Sequence, residues 1–271
     1  MSIKLICLDI DGTLVDDNKN IPPANLEEIR RAASLGIRIA ITSGRISPST
    51  QHYMKQLGIT GAVSSLGGAM LENENHEIIE EYTLDRETCS LVNELANSNG
   101  MTLYAYHHYH WYADRTKASP YWMDIEKTIT TVRGIYVNDL QKEVLDKFCP
   151  NKFLVSEADY NKAVSFMKLL QNSCDPSKVK FFMSGPTYIE VMHPDADKGN
   201  AIRGLCRYYG LDKSEVMVCG DYYNDIFMFK EAGISVAAAN APDDVKSQAT
   251  YVTKLDNNQG VVADAIRHFI P

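Results

Sequence analysis

The sequence predicts an α/β fold, a parallel-sheet core whose chain is interrupted by an inserted α+β domain. Three observations predict it. Short apolar runs alternate with amphipathic segments through the first third of the chain. In the middle that rhythm gives way to helices followed by hairpin patterns, and after His193 it returns. Strand and helix in regular alternation build βαβ units, hence a parallel sheet with helices on both sides.

Ile3–Leu8 is a continuous apolar run broken only by Lys4, as expected of a strand covered on both faces. Pro22-Pro23 opens a helix with Leu26, Ile29 and Ala33 on one stripe, and Gly36 closes it. Ile37–Ile41 reads as a second buried strand. Ser47-Pro48 supplies an N-cap and first-turn proline for a helix ending at Gly58, and Ala62–Ser65 a third strand.

The insert begins with a helix over Asp85–Asn99, its Leu91, Val92 and Leu95 facing inward. Thr102–Asp114, dense in Tyr and His, reads as two antiparallel strands around a turn near His107-His108. Asp159–Asn172 is a second helix. Lys178–Ser184 and Thr187–Met192 are strands separated by the turn signal Gly185-Pro186. Past His193 come a helix over Lys198–Tyr209, a strand at Val216–Cys219, a helix over Asn224–Ala232, a strand at Ile234–Ala238 and a closing helix over Val261–Ile270. The expected division is a discontinuous core of residues 1–83 and 187–271 around an insert of residues 84–186.

Composition narrows the function classes. Of 271 residues 45% are hydrophobic and 23% charged, the balance of an ordinary globular protein, which excludes a disordered or low-complexity chain. With 27 Lys and Arg against 35 Asp and Glu, the net charge is −8, so a nucleic-acid polymer is not an expected partner. Any anion must be met by a local site. The six cysteines include no CxxC pair, so zinc is not expected, and Cys7 and Cys219 read as small core residues. The first residues lack the charged leader and long apolar stretch of a signal peptide, and no segment approaches the roughly 20 apolar residues of a membrane helix. No membrane association and a reduced, cytoplasmic home are therefore expected.

The chemistry concentrates at strand ends. Asp9-Ile10-Asp11-Gly12-Thr13-Leu14 directly follows the first strand, and ligands of open parallel sheets bind beyond such carboxyl ends. Two aspartates at i and i+2 can converge on one small site as the strand unwinds, while Gly12 lets the chain turn away. Asp and Gly are also turn formers, so this segment alone would be ambiguous. Three others accompany it. Thr42-Ser43-Gly44-Arg45 ends the second strand with a hydroxyl and a glycine whose backbone N–H can approach an anion. Asp195-Ala196-Asp197-Lys198-Gly199 puts a lysine at a helix start, and Gly220-Asp221-Tyr222-Tyr223-Asn224-Asp225 follows the Val216–Cys219 strand. A hard divalent cation suits these carboxylates; Mg2+ holds one or two of them plus phosphate and water.

In order, these four segments resemble the signature of the haloacid dehalogenase superfamily of phosphatases. Asn240-Ala241, Val252-Thr253 and Gly260-Val261-Val262, with the position of the insert, resemble its Cof-type subgroup. The resemblance implies a Rossmann-like core under an α+β cap, an Mg2+ cofactor and a small-molecule phosphate ester as partner. It implies Asp9 as nucleophile, forming an aspartyl-phosphate, and Asp11 as general acid and then base. Mg2+ would be held by the Asp9 carboxylate, the Asp11 backbone carbonyl and the Asp221 carboxylate. Ile10, Ser43, Gly44, Arg45, Lys198 and Asn224 would meet the phosphate or substrate, Lys198 also acting in catalysis, with Asp225 supporting Lys198 or the metal shell. Two departures stand out: Ser43 replaces the more frequent threonine and keeps its hydroxyl, and Gly67 stands where the subgroup usually has Asn, removing one polar substrate contact.

His107, His108 and His110 invite a metal reading, but with no companion cysteine or HExxH spacing they read as hairpin-turn residues. The tyrosines and Trp111 around them read as hairpin packing, and Glu77–Glu81 as a solvated strand face. The expectation is an Mg2+-dependent phosphatase of small phosphomonoesters, sugar phosphates first, acting as a monomer or weak homo-oligomer. Nucleotide or pyridoxal phosphate hydrolysis is the alternative, ahead of a phosphomutase or a phosphate-binding regulator without turnover.

Overall fold

The computed structural model describes residues 2–117, 132–185 and 187–271. The chain opens β1 (Leu5–Leu8), α1 (Pro23–Ser34), β2 (Arg38–Thr42), α2 (Ser47–Leu57), β3 (Ala62–Ser65), β4 (Met70–Glu72) and β5 (Ile78–Glu81). Next come α3 (Arg86–Ser98), β6 (Thr102–His107), β7 (His110–Asp114), β8 (Ile135–Val137), β9 (Lys152–Ser156), α4 (Tyr160–Ser173), β10 (Lys180–Gly185) and β11 (Tyr188–Met192). It finishes with α5 (Lys198–Tyr209), β12 (Val216–Gly220), α6 (Ile226–Lys230), β13 (Ile234–Ala237), α7 (Asp243–Lys246), β14 (Tyr251–Val252) and α8 (Val261–Phe269).

Contacts divide the chain into two compact units. The first comprises Met1–Gly44, Thr50–Glu80 and Asp197–Pro271; the second comprises Arg45–Ser49 and Glu81–Ala196. An eight-stranded sheet runs β14-β13-β12-β1-β2-β3-β4-β5, parallel from β14 to β3. The antiparallel β3–β4 pairing makes it mixed. From β1 the chain builds outward through β2 and β3, whereas β12 and β13 lie on its other side. The order therefore reverses between β1 and β12, the place where open α/β sheets bind ligands.

Period-two alternation sorts the apolar residues onto two faces. Ile6, Leu8, Ile39, Ile41, Met217 and Cys219 pack in one core cluster with Ile29 of α1 and Ile266 of α8. Leu5, Cys7, Ala40, Val216 and Val218 pack in another with Ile202 and Leu205 of α5. Cys7 and Cys219 are the core residues their apolar surroundings predict. The second unit holds a six-stranded sheet, β10-β11-β9-β6-β7-β8, with its own apolar core, including Val92 of α3 and Phe166 of α4.

Two readings need correction. β11 pairs with β9 and β10, so Tyr188–Met192 belongs to the second unit and the return to the first comes after Ala196, not at 187. The helix expected over Asn224–Ala232 is a 3₁₀ turn, Tyr223–Asp225, followed by α6, because the Asp225 side chain turns back onto the Asp221 and Tyr222 N–H groups. The β4–β5 extension of the core sheet, with Glu72 and Glu81 among its residues, lacks the continuous apolar run that announces the other core strands. Pro186, half of the expected turn signal, lies outside the described residues. Among the described residues no helix is long and apolar enough to cross a membrane.

Candidate active site

The site is built where β1 and β12 end. Asp9 continues the parallel ladder, its N–H donating to the Cys219 carbonyl at 3.0 Å. Immediately beyond, the Ile10 carbonyl accepts from the N–H groups of Thr13, Leu14 and Val15, curling the chain back. The Ile10 side chain is fully buried in the core, so its backbone N–H is what it can offer a phosphate. Gly12 takes φ +78°, and a Cβ there would lie 2.2 Å from Asp221 Oδ2. Both the left-handed backbone and the close approach require glycine.

Asp221 follows β12 and accepts a hydrogen bond from Thr13 Oγ1 at 3.1 Å on Oδ1. Asn240 Nδ2 donates to the Gly12 carbonyl at 3.0 Å and lies 3.4 Å from Asp221 Oδ2. Asn240 is held in turn, its Oδ1 accepting from the Asn257 N–H at 3.1 Å. Sequence reasoning gives neither Thr13 nor Asn240 a part in the site, although both stand within motifs that it singles out.

Lys198 is the first residue of α5, capped by Asp197 accepting from the Asn200 N–H at 2.8 Å. Its ammonium is buried and bonds Asp9 Oδ1 at 2.6 Å and Asp225 Oδ1 at 2.5 Å. Asp225 Oδ2 accepts from the Asp221 and Tyr222 N–H groups at 2.8 and 3.0 Å. Both Asp225 oxygens are thus engaged, and the residue orients Lys198 and the Asp221 loop.

Burial sets the electrostatics. It drives the Asp9 carboxyl well above the carboxylate range, although Lys198 opposes the shift, and Asp225 and Asp221 add repulsion. Burial, then Asp225, lifts Asp221 to about 7. Burial alone would depress Lys198, but Asp225 and Asp9 more than reverse it and hold it above its usual value. Asp9, Asp221 and Asp225 offer oxygens within 4.8 Å of one another. Such carboxylates, facing one ammonium, call for additional positive charge, and an all-oxygen donor set fits Mg2+. Asp225 already carries the Lys198 ammonium on one oxygen and two N–H groups on the other. Among the described residues Asp221 meets only Thr13 and a longer contact from Asn240, so Asp9 and Asp221 are the side chains suited to hold Mg2+.

The remaining candidates scatter more. The Asp11 carboxylate points to Lys19 Nζ at 2.8 Å and is partly exposed, a pairing that sequence reasoning does not foresee. Ser43 is buried; its N–H donates to the Ser64 carbonyl and its carbonyl accepts from the Gly67 N–H, both at 2.9 Å. Gly67, with φ +69°, therefore serves the backbone beside Ser43. A Cβ on Gly44 would meet nothing within 4 Å. Asn224 is half-buried in the turn beside Asp225. Arg45 is buried and falls in the second unit, where it donates to Ser49 Oγ at 3.2 Å.

Residues 6–266 match the family described as haloacid dehalogenase-like hydrolase. The chain is 27% identical to a 5-amino-6-(5-phospho-D-ribitylamino)uracil phosphatase of Bacillus subtilis, covering 100% of this chain and 97% of that one. It is 26% identical to a phosphoglycolate phosphatase of Thermoplasma volcanium, covering 98% of each. A haloacid dehalogenase-like hydrolase of Bacteroides thetaiotaomicron superposes with a TM-score of 0.89 at 28% identity, over 99% of this chain and 100% of that one.

Proposed function

Because the chain belongs to the haloacid dehalogenase-like hydrolases, we propose that it is an Mg2+-dependent phosphatase acting through an aspartyl-phosphate on Asp9. The observation that carries this reading is the Asp9–Lys198–Asp225 chain of short contacts at the sheet's reversal point. Lys198 holds Asp9 Oδ1, which leaves Oδ2 to attack phosphorus in line. The P–O bond to the alcohol breaks as the bond to Oδ2 forms, and protonated Asp11 gives the departing oxygen its proton. Asp11, now the carboxylate, takes a proton from water, whose oxygen attacks the aspartyl-phosphate and frees Asp9 and inorganic phosphate. Ser43, the Ile10 and Gly44 N–H groups, Asn224 and Lys198 bind the phosphoryl oxygens as their charge redistributes. Asp9, Asp221 and the Asp11 carbonyl would hold Mg2+, which would supply charge to offset repulsion between carboxylate and phosphate dianion.

Sugar or polyol phosphates are the proposed substrate class, with the second unit choosing among leaving groups and Arg45 as a substrate contact. Similarity to a phosphatase of a ribitylaminouracil phosphate supports a polyol phosphate and favours a second reading in which the leaving group carries a heterocycle. Phosphate release from a chromogenic phenyl phosphate, followed by a panel of sugar, nucleotide and cofactor phosphates, tests the proposal. The expected result is Mg2+-dependent turnover abolished by chelator, with a polyol phosphate preferred. Turnover undiminished in chelator, or none with any phosphomonoester, would overturn it.

A further inference from the structure

We propose a transition-metal site in the second unit, formed by Glu81, His107 and His108 and suited to Zn2+ or Co2+. These residues each offer a ligand atom, and the three atoms lie within 4.8 Å of one another. Their chemistry differs from that of the aspartate cluster: two imidazoles and one carboxylate favour a borderline cation, whereas an all-oxygen set favours Mg2+.

Several features converge on this cluster. His107 Nδ1 is buried without a hydrogen-bond partner, a costly state for an imidazole nitrogen. The ring is half-buried between His108 and Phe148, at centroid distances of 4.0 and 4.2 Å. His108 Nε2 lies 2.7 Å from Glu81 Oε1, where a metal would replace the proton the two groups share. His108 occupies the hairpin turn at φ +50°, a left-handed backbone that histidine adopts at some cost.

A supporting layer is present. Asn151 is fully buried; its Nδ2 donates to Glu81 Oε1 at 2.8 Å and its Oδ1 accepts from the His108 N–H at 2.9 Å. One side chain therefore fixes both the carboxylate and the turn, as the partners of metal ligands commonly do. Glu81 is also where the chain enters the second unit. The bound ion would cross-link that entry point to the β6–β7 turn, with a water completing four-coordination.

The test is calorimetric titration of Zn2+ into the full-length protein under saturating Mg2+, repeated in Asp221→Asn, with Co2+ absorption as a second readout. The expected result is one Zn2+ per chain, retained in Asp221→Asn and weakened about tenfold or more in Glu81→Gln and in His108→Asn, whose asparagine tolerates the left-handed turn. Co2+ should give the visible bands of a tetrahedral site. Zinc binding lost in Asp221→Asn, unchanged in both ligand variants, or absent from the Mg2+-saturated protein would overturn the proposal. So would a Co2+ spectrum of octahedral form. None of these readouts depends on phosphatase activity.

Discussion

Lys198 and Asp9, 189 positions apart in the chain, share a hydrogen bond of 2.6 Å inside the protein. The same ammonium closes on Asp225 at 2.5 Å, so two carboxylates share one cation, which occupies Asp9 Oδ1 rather than Oδ2. Replacing Lys198 with Met should abolish measurable turnover. It should also destabilise the fold by about 3–5 kcal/mol, because Asp9 and Asp225 would remain buried without their counter-charge. Urea unfolding alongside steady-state kinetics checks both effects. A stable Lys198→Met enzyme with near-native kcat would remove Lys198 from its proposed place.

Asn240 should act on the site only through what it holds. Its side chain reaches the Gly12 carbonyl and Asp221, and partners of metal ligands typically contribute about 10–100-fold to metal affinity. Asn240→Ala is expected to raise the Mg2+ concentration for half-maximal activity by that factor. With Mg2+ in excess, kcat should recover much of its native value. An unchanged Mg2+ requirement would show that Asn240 only supports the loop.

The pH dependence of stability follows from Asp221. Burial, then repulsion from Asp225, raises its carboxyl from 3.8 to about 7 in the folded protein. A folded-state pKa above the unfolded value contributes stability that is complete below about pH 4 and lost as pH rises through 7. Relative to Asp221→Asn, the metal-free native protein should therefore lose stability across that window, and added Mg2+ should restore it. Urea unfolding at a series of pH values measures the difference. A pH-independent difference would contradict the assignment.

Asp11 differs from Asp9 in position as well as in proposed role. It is partly exposed and paired with Lys19, whereas Asp9 is buried against Lys198. Asp11→Asn keeps the backbone carbonyl and removes proton transfer, typically worth about 10²–10⁴-fold. The loss should be smaller for esters with good leaving groups, which need little protonation on departure. Equal losses across a leaving-group series would argue against proton transfer by Asp11.

Three of the four segments are legible because each couples a motif to an apolar run whose carboxyl end the core sheet must expose, and the fourth because Lys198 opens a helix. Asp9, Lys198, Asp221 and Asp225 accordingly meet at one point although they come from distant segments. Partner choice is not legible. Nothing in the spacing of Asp11 and Lys19 announces their pairing, which depends on the turn that follows Val15. Nor does the sequence show that both Asp225 oxygens are occupied by partners, a consequence of the tight Tyr223–Asp225 turn. The insert's end is misread from sequence because Gly185-Pro186 signals a turn equally well within a hairpin and at a domain boundary. Glu81 is invisible beside His107 and His108 because His108 lies 27 positions further along the chain. Asn151 brings the two together only in the fold.

The central claim is covalent phosphorylation of Asp9, and rapid acid quench with ³²P-labelled substrate tests it most directly. Native protein should carry label through the precipitation, and peptide mapping should place it on Asp9. Asp9→Asn, folded and supplied with Mg2+, should trap none. Label retained by Asp9→Asn, or mapped to any other residue of the native protein, would contradict the account.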